Sequence, residues 1–499
     1  MWRLRRLHAF TPTLEEFRFH AREGNVVPVY REILGDLETP VSAFMKLDDG
    51  SHSFLLESVE GGEKWGRYSF IGIEPSAVVR IEGPRLLLER QGKREQRRVA
   101  DPISGMEELL RAYRPVPVPG LPRFAGGAVG YLSYDCARYL ETSLPWPAWR
   151  QGDLPDAQFL CTGPLLVFDN LAHTIKVVVN AMVGKDAAAS YKQATRQIDA
   201  IVARLRGAAP GRDGGRTAGR KPVFTSDTKP AEFERAVRRA QEHILAGDLF
   251  QVVLSHELST RLHGDPFAVY RALRQMNPSP YMYFLRFGSD VILGASPEAL
   301  VRKEDDVLEL RPIAGTRPRG ATRVEDLRLE EELRDSDKER AEHIMLVDLG
   351  RNDLGRVSQY GSVVADELMI VERYSHVMHL VSGVRGLARD GISCFDVLRA
   401  CFPAGTVSGA PKVRAMQRIH ELEKRRRGVY GGGVGYFGYD GNMDLCLAIR
   451  TVLCRDGQAS IGAGAGIVAH SNPRAEYEET RSKAQVLLAA IEMAELGLE

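Results

Sequence analysis

The 499-residue sequence lacks any apolar run that approaches the roughly 20 residues needed to span a bilayer. Its first residues, MWRLRRLHAF, lead into TPTLEEF without the apolar segment of a secretory signal, so we expect a cytoplasmic protein with no membrane partner. An excess of one charge is also missing, because 67 Lys and Arg against 66 Asp and Glu leave a formal net charge of +1. We therefore expect no nucleic-acid partner, and any anion site must be local.

Cysteine is scarce, with six in the chain and none in CxxC spacing. Segments such as DLCLAIR place cysteine among apolar residues, so we interpret the cysteines as reduced core thiols rather than a disulfide framework or a structural metal site. A dinucleotide-binding fingerprint is missing too, because no helix directly follows the glycine-rich segment GAGAGIV at 462–468.

The composition that is present, 44% hydrophobic and 27% charged, is typical of a globular protein. A segment rich in glycine and arginine at 204–224 predicts a linker between an N-terminal region, 1–203, and a C-terminal region, 225–499. The first region contains short β-like runs such as TIKVVVN, and the second mixes such runs with helical segments such as EYEETRSKAQVLLAAIEMAEL. These patterns predict a mixed α+β fold.

Two segments echo each other, GGAVGYLSYD at 126–135 and GGGVGYFGYD at 431–440. Glycines before an alternating aromatic strand favour close backbone packing at a sheet edge or bulge. Because the two regions share no other similarity, paired strands of similar design are a better interpretation than an ancestral duplication.

Three glutamates are candidate ligands or catalytic groups. Glu342 shares a helical face with Met345 and Leu346, so its carboxylate requires a cation, a metal or a raised pKa. Glu476 and Glu479 lie one turn apart near the start of a helix, where Mg²⁺ would relieve their repulsion. The alternatives are an ion pair with arginine for Glu342, and a solvated acidic first turn for the other two.

Candidate anion and proton-transfer groups lie on predicted strands. The backbone of GAGAGIV could cradle a carboxylate, and Arg450 in CLAIRTVL could bind one through two hydrogen bonds. A structural arginine–glutamate pair is the alternative for Arg450. His379 in SHVMHLVS shares a strand face with Val377 and Val381, which is compatible with either a core histidine or a catalytic one.

Taken in order, a dozen segments resemble the chorismate-utilising enzymes, and most closely the anthranilate synthase component I group of that family. The segments are LLESVEGG (55–62), GDLFQVVLS (247–255), NPSPYMYF (277–284), GASPEAL (294–300), RPIAGTRPRG (311–320), AEHIMLVDLGRNDLGRV, RYSHVMHLVSGV, CFPAGTVSGAPKVRAM (401–416), YGGGVGY (430–436), AIRT, GAGAGIV and EYEETRSKA. They cover nearly all of 225–490. The resemblance implies a chorismate-binding fold with two packed antiparallel β-sheets surrounded by helices, and with interleaved subdomains.

The resemblance also implies a cofactor and roles for individual residues. It implies Mg²⁺ held by Glu342, Glu476 and Glu479, with the metal holding the ring carboxylate of chorismate. The catalytic groups that it implies are His379, Glu298 and Thr316, with Glu298 as the acid that protonates the departing hydroxyl. The chorismate contacts that it implies are Gly315, Thr316, Thr406, Tyr430, Arg450, Gly464, Ala465, Gly466 and Lys483.

The implied reaction, the first step of tryptophan biosynthesis, joins ammonia to chorismate and releases anthranilate and pyruvate through aminodeoxyisochorismate. Relatives that add water carry lysine where this chain has Gln251, and aminodeoxychorismate synthases carry a nucleophilic lysine where it has Ala314. An aminodeoxychorismate synthase is therefore the enzyme alternative, and Ala314 opposes it. A non-catalytic amino-acid sensor is the other alternative, which the presence of the catalytic and metal-binding residue types opposes.

The resemblance implies a partner and a regulator. Because no G-x-C-x-G elbow is present, we expect a separate glutamine amidotransferase, component II, to supply ammonia within a heterotetramer of two large and two small subunits. Tryptophan is the expected feedback inhibitor, and its implied site consists of Glu57, Ser58, Pro280, Tyr281 and Met282. There the Glu57 carboxylate could pair with an amino group, and the alternative for Glu57 and Ser58 is an ordinary strand end.

Overall fold

The computed structural model describes residues 9–58, 66–99, 101–144, 153–208, 219, 221–374 and 377–498. In chain order the strands are β1 (Phe10–Thr11), β2 (Val26–Leu34), β3 (His52–Glu57), β4 (Tyr68–Ile73), β5 (Ala77–Glu82), β6 (Arg85–Arg90), β7 (Lys93–Arg98), β8 (Gly127–Leu132), β9 (Ala157–Cys161), β10 (Pro164–Asp169), β11 (Thr174–Met182), β12 (Thr225–Ser226), β13 (Gln251–Arg261), β14 (Tyr281–Phe287), β15 (Asp290–Ser296), β16 (Ala299–Glu304), β17 (Val307–Leu310), β18 (Ile313–Pro318), β19 (Val364–Arg373), β20 (Val377–Leu387), β21 (Gly409–Ala410), β22 (Gly433–Gly438), β23 (Met443–Leu447), β24 (Thr451–Arg455) and β25 (Gln458–Ile467).

The helices, again in chain order, are α1 (Leu14–His20), α2 (Pro40–Leu47), α3 (Pro102–Arg111), α4 (Ala137–Leu140), α5 (Ala187–Leu205), α6 (Pro230–Leu245), α7 (Pro266–Met276), α8 (Arg323–Asp335), α9 (Asp337–Gly355), α10 (Cys394–Cys401), α11 (Gly405–Ser408), α12 (Lys412–Glu423) and α13 (Pro473–Leu496), with a 3₁₀ turn at Tyr134–Cys136. Helix α13 is capped at its start, because the Asn472 side chain accepts hydrogen bonds from the first-turn N–H groups and Pro473 occupies the first turn. None of the helices in the described ranges is long and apolar enough to cross a membrane.

The strands form two large antiparallel sheets. Sheet A has the order β1-β2-β11-β10-β4-β3-β14-β15-β24-β25-β13-β12, with β21 beside β13. Sheet B has the order β18-β20-β17-β16-β23-β22-β8-β9-β5-β6-β7, with β19 beside β20. With helices added, this architecture confirms the predicted α+β class with two antiparallel sheets.

Each sheet interleaves strands from the two regions that the sequence suggested. In sheet A, β3 from the N-terminal region pairs with β14, and in sheet B, β8 pairs with β22. The second pair explains the internal echo, because Gly130 lies opposite Gly435 in adjacent antiparallel strands. The two similar segments are therefore paired strands of similar design.

The two sheets pack against each other across an aromatic and polar interface. Tyr131 of β8 contacts Phe287 of β14 edge-on, with ring centroids 5.7 Å apart. The Tyr281 hydroxyl of β14 donates to Asp444 of β23 at 3.0 Å. Ile198 of α5 and Leu487 of α13 join the core cluster that contains the sheet A strands.

The predicted linker can be compared with the structure only in part. Helix α5 continues to Leu205, so the first two residues of the 204–224 segment are helical. Residues 209–218 and 220 lie outside the described residues.

Candidate active site

One wall of the candidate site is the pair of strands β18 and β20. Thr316 lies opposite His379, and the register shifts at Gly315, which has a φ of +66°. A Cβ at Gly315 would also lie 2.9 Å from Leu333 Cδ1, so only glycine fits this bulge. Two predicted catalytic side chains, Thr316 and His379, are thereby placed side by side.

The histidine has a defined hydrogen-bonding environment. His379 Nδ1 lies 3.0 Å from Thr316 Oγ1 and 3.0 Å from the Gly315 carbonyl oxygen. Because a carbonyl can only accept, this geometry favours a proton on Nδ1 and leaves Nε2 as the basic nitrogen. Burial lowers the pKa of His379, although the Gly315 hydrogen bond opposes that shift. The imidazole is therefore suited to act as a neutral base.

Glu298 lies on the segment between β15 and β16, where burial raises its pKa to about 7. The Thr406 hydroxyl of α11 donates to Glu298 Oε1 at 2.8 Å, and this bond, with the charges of Arg450 and Lys483, opposes the rise. A carboxyl group with a pKa near neutrality can hold a proton and release it during a reaction. The geometry therefore suits the implied role as an acid.

Arg450 lies beside Glu298 in an uncommon backbone conformation. Its φ is +49°, in the left-handed region that non-glycine residues seldom occupy. Burial lowers the pKa of its guanidinium, and the charges of Glu298 and Tyr374 oppose the change. Within the described part of the chain, no carboxylate oxygen lies within the 4.0 Å of an ion pair with this side chain. A half-buried cation without an ion-pair partner suits a carboxylate ligand.

The glycine-rich strand β25 forms a flat second wall beside Tyr430. A Cβ at Gly464 would lie 2.4 Å from the Tyr430 hydroxyl, and one at Gly466 would lie 2.4 Å from Gln251 Nε2. The side chain of Ala465 belongs to the buried core, so only its backbone is available to a ligand. The glycines therefore let Tyr430 and Gln251 lie directly on the strand.

The three predicted metal ligands come from two helices, α9 and α13. Burial raises the pKa of Glu342 and of Glu476, and the charge of Glu479 adds to both shifts. Lys483 Nζ lies 2.7 Å from Glu479 Oε1 and donates to the Gly464 carbonyl at 3.2 Å. The carboxylates therefore repel one another and draw a cation towards them.

The carboxylates do not converge on a single point in this structure. Among the residues that are described, no three Asp, Glu, His or Cys side chains are close enough to share one metal ion. Mg²⁺ typically takes one or two protein carboxylates and completes its octahedron with water and substrate oxygens. The oxygen donors of Glu342, Glu476 and Glu479 fit such an ion chemically, and their assignment as its ligands stays a prediction.

Electrostatic coupling joins these groups into one site. The charge of Lys483 affects the pKa of Glu298, Glu342 and Glu476, and the charge of Arg450 affects the pKa of His379 and Glu298. The sequence-predicted acid, base, glycines and carboxylates are therefore close to one another, although they lie up to 185 positions apart between 298 and 483.

The structure adds polar residues that the sequence interpretation did not single out. Tyr374 packs edge-on against His379 with ring centroids 5.6 Å apart. Lys338 lies on α9 one turn before Glu342, and its charge lowers the pKa of that carboxyl group. Helical spacing alone could have indicated Lys338, because it is four residues from Glu342. Tyr374 had no comparable signal, because its position depends on the pairing of β19 with β20.

The five residues predicted to bind tryptophan lie together in a separate cleft between the two sheets. The cleft is lined by Leu56, Glu57, Ser58, Arg67, Tyr68, Phe70, Arg123, Pro280, Tyr281, Met282, Tyr283, Val434, Gly435, Tyr436, Asp444 and Cys446. We refer to it as the inter-sheet cleft. Its mixture of aromatic walls and a few polar groups is typical of a small-molecule site.

The Glu57 carboxylate is already engaged by α7. Arg274 Nε and Nη2 donate to its two oxygens at 2.9 and 3.0 Å, and the Tyr270 hydroxyl donates to Oε2 at 2.5 Å. A second acidic group in the cleft, Asp444, accepts from Tyr281 and from Arg123 at 3.3 Å. A ligand amino group would therefore have to share Glu57 with Arg274.

Comparisons with known proteins agree with this arrangement. The model of the chorismate binding enzyme family matches residues 52–489. Anthranilate synthase component 1 of Pseudomonas aeruginosa is 46% identical over 97% of this chain and 99% of its own length. The Aquifex aeolicus protein of the same name is 47% identical over 98% of this chain and 99% of its own length.

Solved structures give the same result for the fold. The crystal structure of anthranilate synthase component I from Streptococcus pneumoniae is similar with a TM-score of 0.76 and 37% identity, covering 91% of this chain and 99% of that one. The menaquinone-specific isochorismate synthase of Escherichia coli shares the fold at 19% identity, with a TM-score of 0.68 over 97% of this chain and 99% of that one.

Proposed function

This chain belongs to the chorismate-binding enzyme family and groups within it with the anthranilate synthase component I proteins, and on that premise we propose that it converts chorismate and ammonia to anthranilate and pyruvate. The observation that carries the proposal is Glu298, a carboxyl group with a pKa of about 7, beside Arg450, which has no ion-pair partner among the described residues. An acid and an anion-binding cation at one point are what a substrate with carboxylates and a poor hydroxyl leaving group requires.

In the first step, the ammonia nitrogen forms a bond to C2 of chorismate, the ring double bonds shift, and the C4–O bond breaks. Glu298 gives its proton to the departing hydroxyl, which leaves as water, and the new amine loses a proton. The product is aminodeoxyisochorismate. Thr406 holds the Glu298 carboxyl in place through its 2.8 Å hydrogen bond.

In the second step, a base removes the C2 proton and the ether bond between C3 and the enolpyruvyl group breaks. The ring becomes aromatic, and the enolpyruvate gains a proton to become pyruvate. His379 fits the base, since its Nδ1 is hydrogen-bonded and its Nε2 is left to accept a proton. Thr316 and Gly315 fix the orientation of the imidazole.

Mg²⁺ is the cofactor in this proposal, and Glu342, Glu476 and Glu479 are the residues that would hold it. When bound, it would supply positive charge that clamps the ring carboxylate of chorismate. Glu479→Gln should then lower turnover and remove its dependence on added Mg²⁺, measured by anthranilate fluorescence against metal concentration. Full, metal-dependent activity in that variant would reject the assignment.

Two positions support ammonia as the nucleophile. Gln251 packs on Gly466 at the site where a water-adding relative needs a lysine, and ammonia needs no base to activate it. Ala314 is buried and has no nucleophilic group, so an aminodeoxychorismate synthase that uses a lysine at this position is disfavoured.

Glutamine is the source of the ammonia in this proposal, through a separate amidotransferase subunit in a heterotetramer. The name component 1, carried by the relatives, supports a partner component. The chain by itself should use ammonium salts and should fail to use glutamine. Addition of the amidotransferase should confer glutamine-dependent activity, measured as anthranilate formed at neutral pH.

Tryptophan is the proposed inhibitor, bound in the inter-sheet cleft. The five predicted residues line this one cleft, and its aromatic walls with a few polar groups suit an aromatic amino acid. Ser58→Phe should fill part of the cleft and relieve inhibition while basal activity is retained. Unchanged tryptophan sensitivity in this variant would count against the site.

The direct test of the proposed activity is incubation of the purified protein with chorismate, Mg²⁺ and ammonium. Anthranilate fluorescence and pyruvate should appear in equal amounts. A 4-amino product that requires a separate lyase would indicate the aminodeoxychorismate alternative. Chorismate binding without turnover would indicate the sensor alternative.

A further inference from the structure

The inter-sheet cleft and the candidate active site are joined by one short chain of side-chain hydroxyls. Tyr283 of β14 lines the cleft, and its ring is fully buried. Its hydroxyl oxygen lies 2.6 Å from Thr451 Oγ1, at the start of β24. Thr451 Oγ1 lies 3.0 Å from the Ile449 carbonyl oxygen, to which it donates.

The direction of these hydrogen bonds follows from counting protons. The Thr451 hydroxyl has one proton, and the Ile449 carbonyl can only accept it. The Tyr283 hydroxyl must therefore donate to Thr451 Oγ1. The result is a directed chain from the cleft to the two residues that flank Arg450.

Arg450 is the residue that this chain encloses. Its left-handed backbone, with a φ of +49°, is a conformation that persists only when neighbouring contacts hold it. The Thr451 hydroxyl donates to the Ile449 carbonyl and so bridges across Arg450. The Arg450 carbonyl accepts a hydrogen bond from the Ala295 N–H at 3.1 Å. Loss of the bridge should release the conformation that aims the guanidinium at a ligand.

The space around Tyr283 is shaped so that its hydroxyl reaches Thr451. A Cβ at Gly294, on the neighbouring strand β15, would lie 2.5 Å from the Tyr283 hydroxyl oxygen. Only glycine at 294 therefore leaves room for the tyrosine ring in this position. Register places Gly294 opposite both Tyr283 and Thr451, so the three residues are held by adjacent strands of one sheet.

We propose that Tyr283 is a positioning residue, which holds Arg450 in its binding conformation through Thr451 and couples that conformation to the occupancy of the inter-sheet cleft. This inference deepens the proposed function, on which it rests for the identities of the two ligands. A ligand that displaces the Tyr283 ring would break the hydroxyl chain at its first bond. It would thereby weaken chorismate binding without touching chorismate.

The experiment uses binding rather than turnover as its main measurement. Calorimetric titration of chorismate into the full chain with Mg²⁺, in the absence of ammonia, gives a dissociation constant, and repetition at saturating tryptophan gives the coupling between the sites. Tyr283→Phe, which removes only the hydroxyl, should weaken chorismate binding about threefold to tenfold, as expected for one lost hydrogen bond. It should also reduce the effect of tryptophan on chorismate binding and tighten tryptophan binding by a comparable factor, because tryptophan no longer has to break the Tyr283–Thr451 hydrogen bond.

Matched variants separate positioning from general destabilisation. Thr451→Val should reproduce the effect of Tyr283→Phe, and Thr451→Ser, which keeps the hydroxyl, should restore wild-type binding. Tyr131→Phe removes another buried hydroxyl, one that donates to the Pro155 carbonyl at 3.1 Å, and should leave chorismate binding unchanged. Unaltered chorismate binding and coupling in Tyr283→Phe would overturn the inference.

The outcome for this inference is distinguishable from that for the proposed function. Absence of anthranilate from the wild-type protein rejects the proposed function, whereas the binding measurements still decide the role of Tyr283. Absence of any tryptophan effect on chorismate binding in the wild-type protein rejects the coupling.

Discussion

Glu298 is the residue whose environment most directly constrains the chemistry. Burial raises its pKa to about 7, so the group carries a proton for much of the time at neutral pH. An acid that must donate a proton to a hydroxyl becomes ineffective once it is ionised. The activity of this protein should therefore decline on the alkaline side of neutrality, even though free ammonia becomes more abundant there.

We expect kcat/KM for chorismate, at a fixed and saturating concentration of free ammonia, to fall about tenfold per pH unit above an apparent pKa of about 7. The measurement is initial anthranilate formation between pH 6 and 9, with total ammonium adjusted at each pH. Glu298→Gln serves as the control, since its activity should be low and should not show this decline above pH 7. A flat profile to pH 9 in the wild-type protein would contradict the assignment of Glu298 as the acid.

Thr406 should set the pH at which this alkaline decline in activity, the alkaline limb of the profile, begins. Its hydroxyl donates to Glu298 Oε1 and stabilises the ionised form, which lowers the pKa of the carboxyl group. Thr406→Val keeps the shape and removes the donor, so the apparent pKa of the limb should rise, by up to about one unit. Thr406→Ser should restore the wild-type profile. A limb that moves to lower pH in the valine variant would show that Thr406 acts in another way.

The same carboxyl group makes stability depend on pH. Its native pKa of about 7 exceeds the unfolded value of 4.5, so the native state holds the proton more tightly. The contribution to stability is fully present below pH 4.5 and is lost as the pH rises through 7. Between pH 5 and 8.5, the unfolding free energy of the wild-type protein should therefore fall by up to about 3 kcal/mol more than that of Glu298→Gln. Denaturant titration of both proteins at each pH measures this difference. An identical pH dependence in both proteins would contradict the raised pKa.

For single residues, the sequence identified which side chains belong to the site better than it identified which of them contact each other. Glu298, His379 and Arg450 could be named because their segments resemble a family. The contact of Thr406 with Glu298 and the link from Tyr283 to Thr451 could not be predicted, because the partners are 108 and 168 positions apart. The long-range packing of strands and helices decides which of these side chains meet.

Strand β25 is the element whose sequence is most directly explained by its place in the candidate site. Gly462, Gly464 and Gly466 share one face of the strand, and the first two pack against Tyr430. A run of glycines costs backbone entropy, so its presence in a buried strand indicates that another group must approach closely. The sequence interpretation inferred close approach by a ligand, whereas the structure shows that Tyr430 and Gln251 occupy part of that space.

Gly464→Ala should therefore lower kcat/KM for chorismate at least tenfold, mainly through KM. The added methyl group would lie 2.4 Å from the Tyr430 hydroxyl and 2.9 Å from the Leu254 carbonyl oxygen, so the tyrosine must move. Tyr430→Phe in the same chain should recover part of the loss, because it removes the closest atom. Purely additive losses in the double variant would contradict steric conflict with the hydroxyl as the cause.

On the scale of the whole molecule, the two sheets decide what can fold independently. The linker predicted at 204–224 suggests two successive domains, and the predicted α+β class with two sheets is confirmed. Yet β3 lies between β4 and β14 in sheet A, and β8 pairs with both β9 and β22 in sheet B. Local patterns reveal strands, but their order across a sheet depends on long-range packing, so the interleaving was accessible only through the family resemblance.

This interleaving predicts that the C-terminal region will not fold by itself. A chain of residues 221–499 would expose the edges of β14 and β22 that β3 and β8 cover, leaving buried backbone N–H and carbonyl groups without partners. It would also lose Glu57, the carboxylate that pairs with Arg274 at 2.9 Å. We expect this fragment to aggregate or to lack a cooperative thermal transition.

Co-expression with residues 1–208 should restore a soluble complex, one transition by circular dichroism, and chorismate binding. A fragment that unfolds cooperatively near the midpoint of the intact chain, and binds chorismate unaided, would show that the shared sheets are dispensable for the catalytic half.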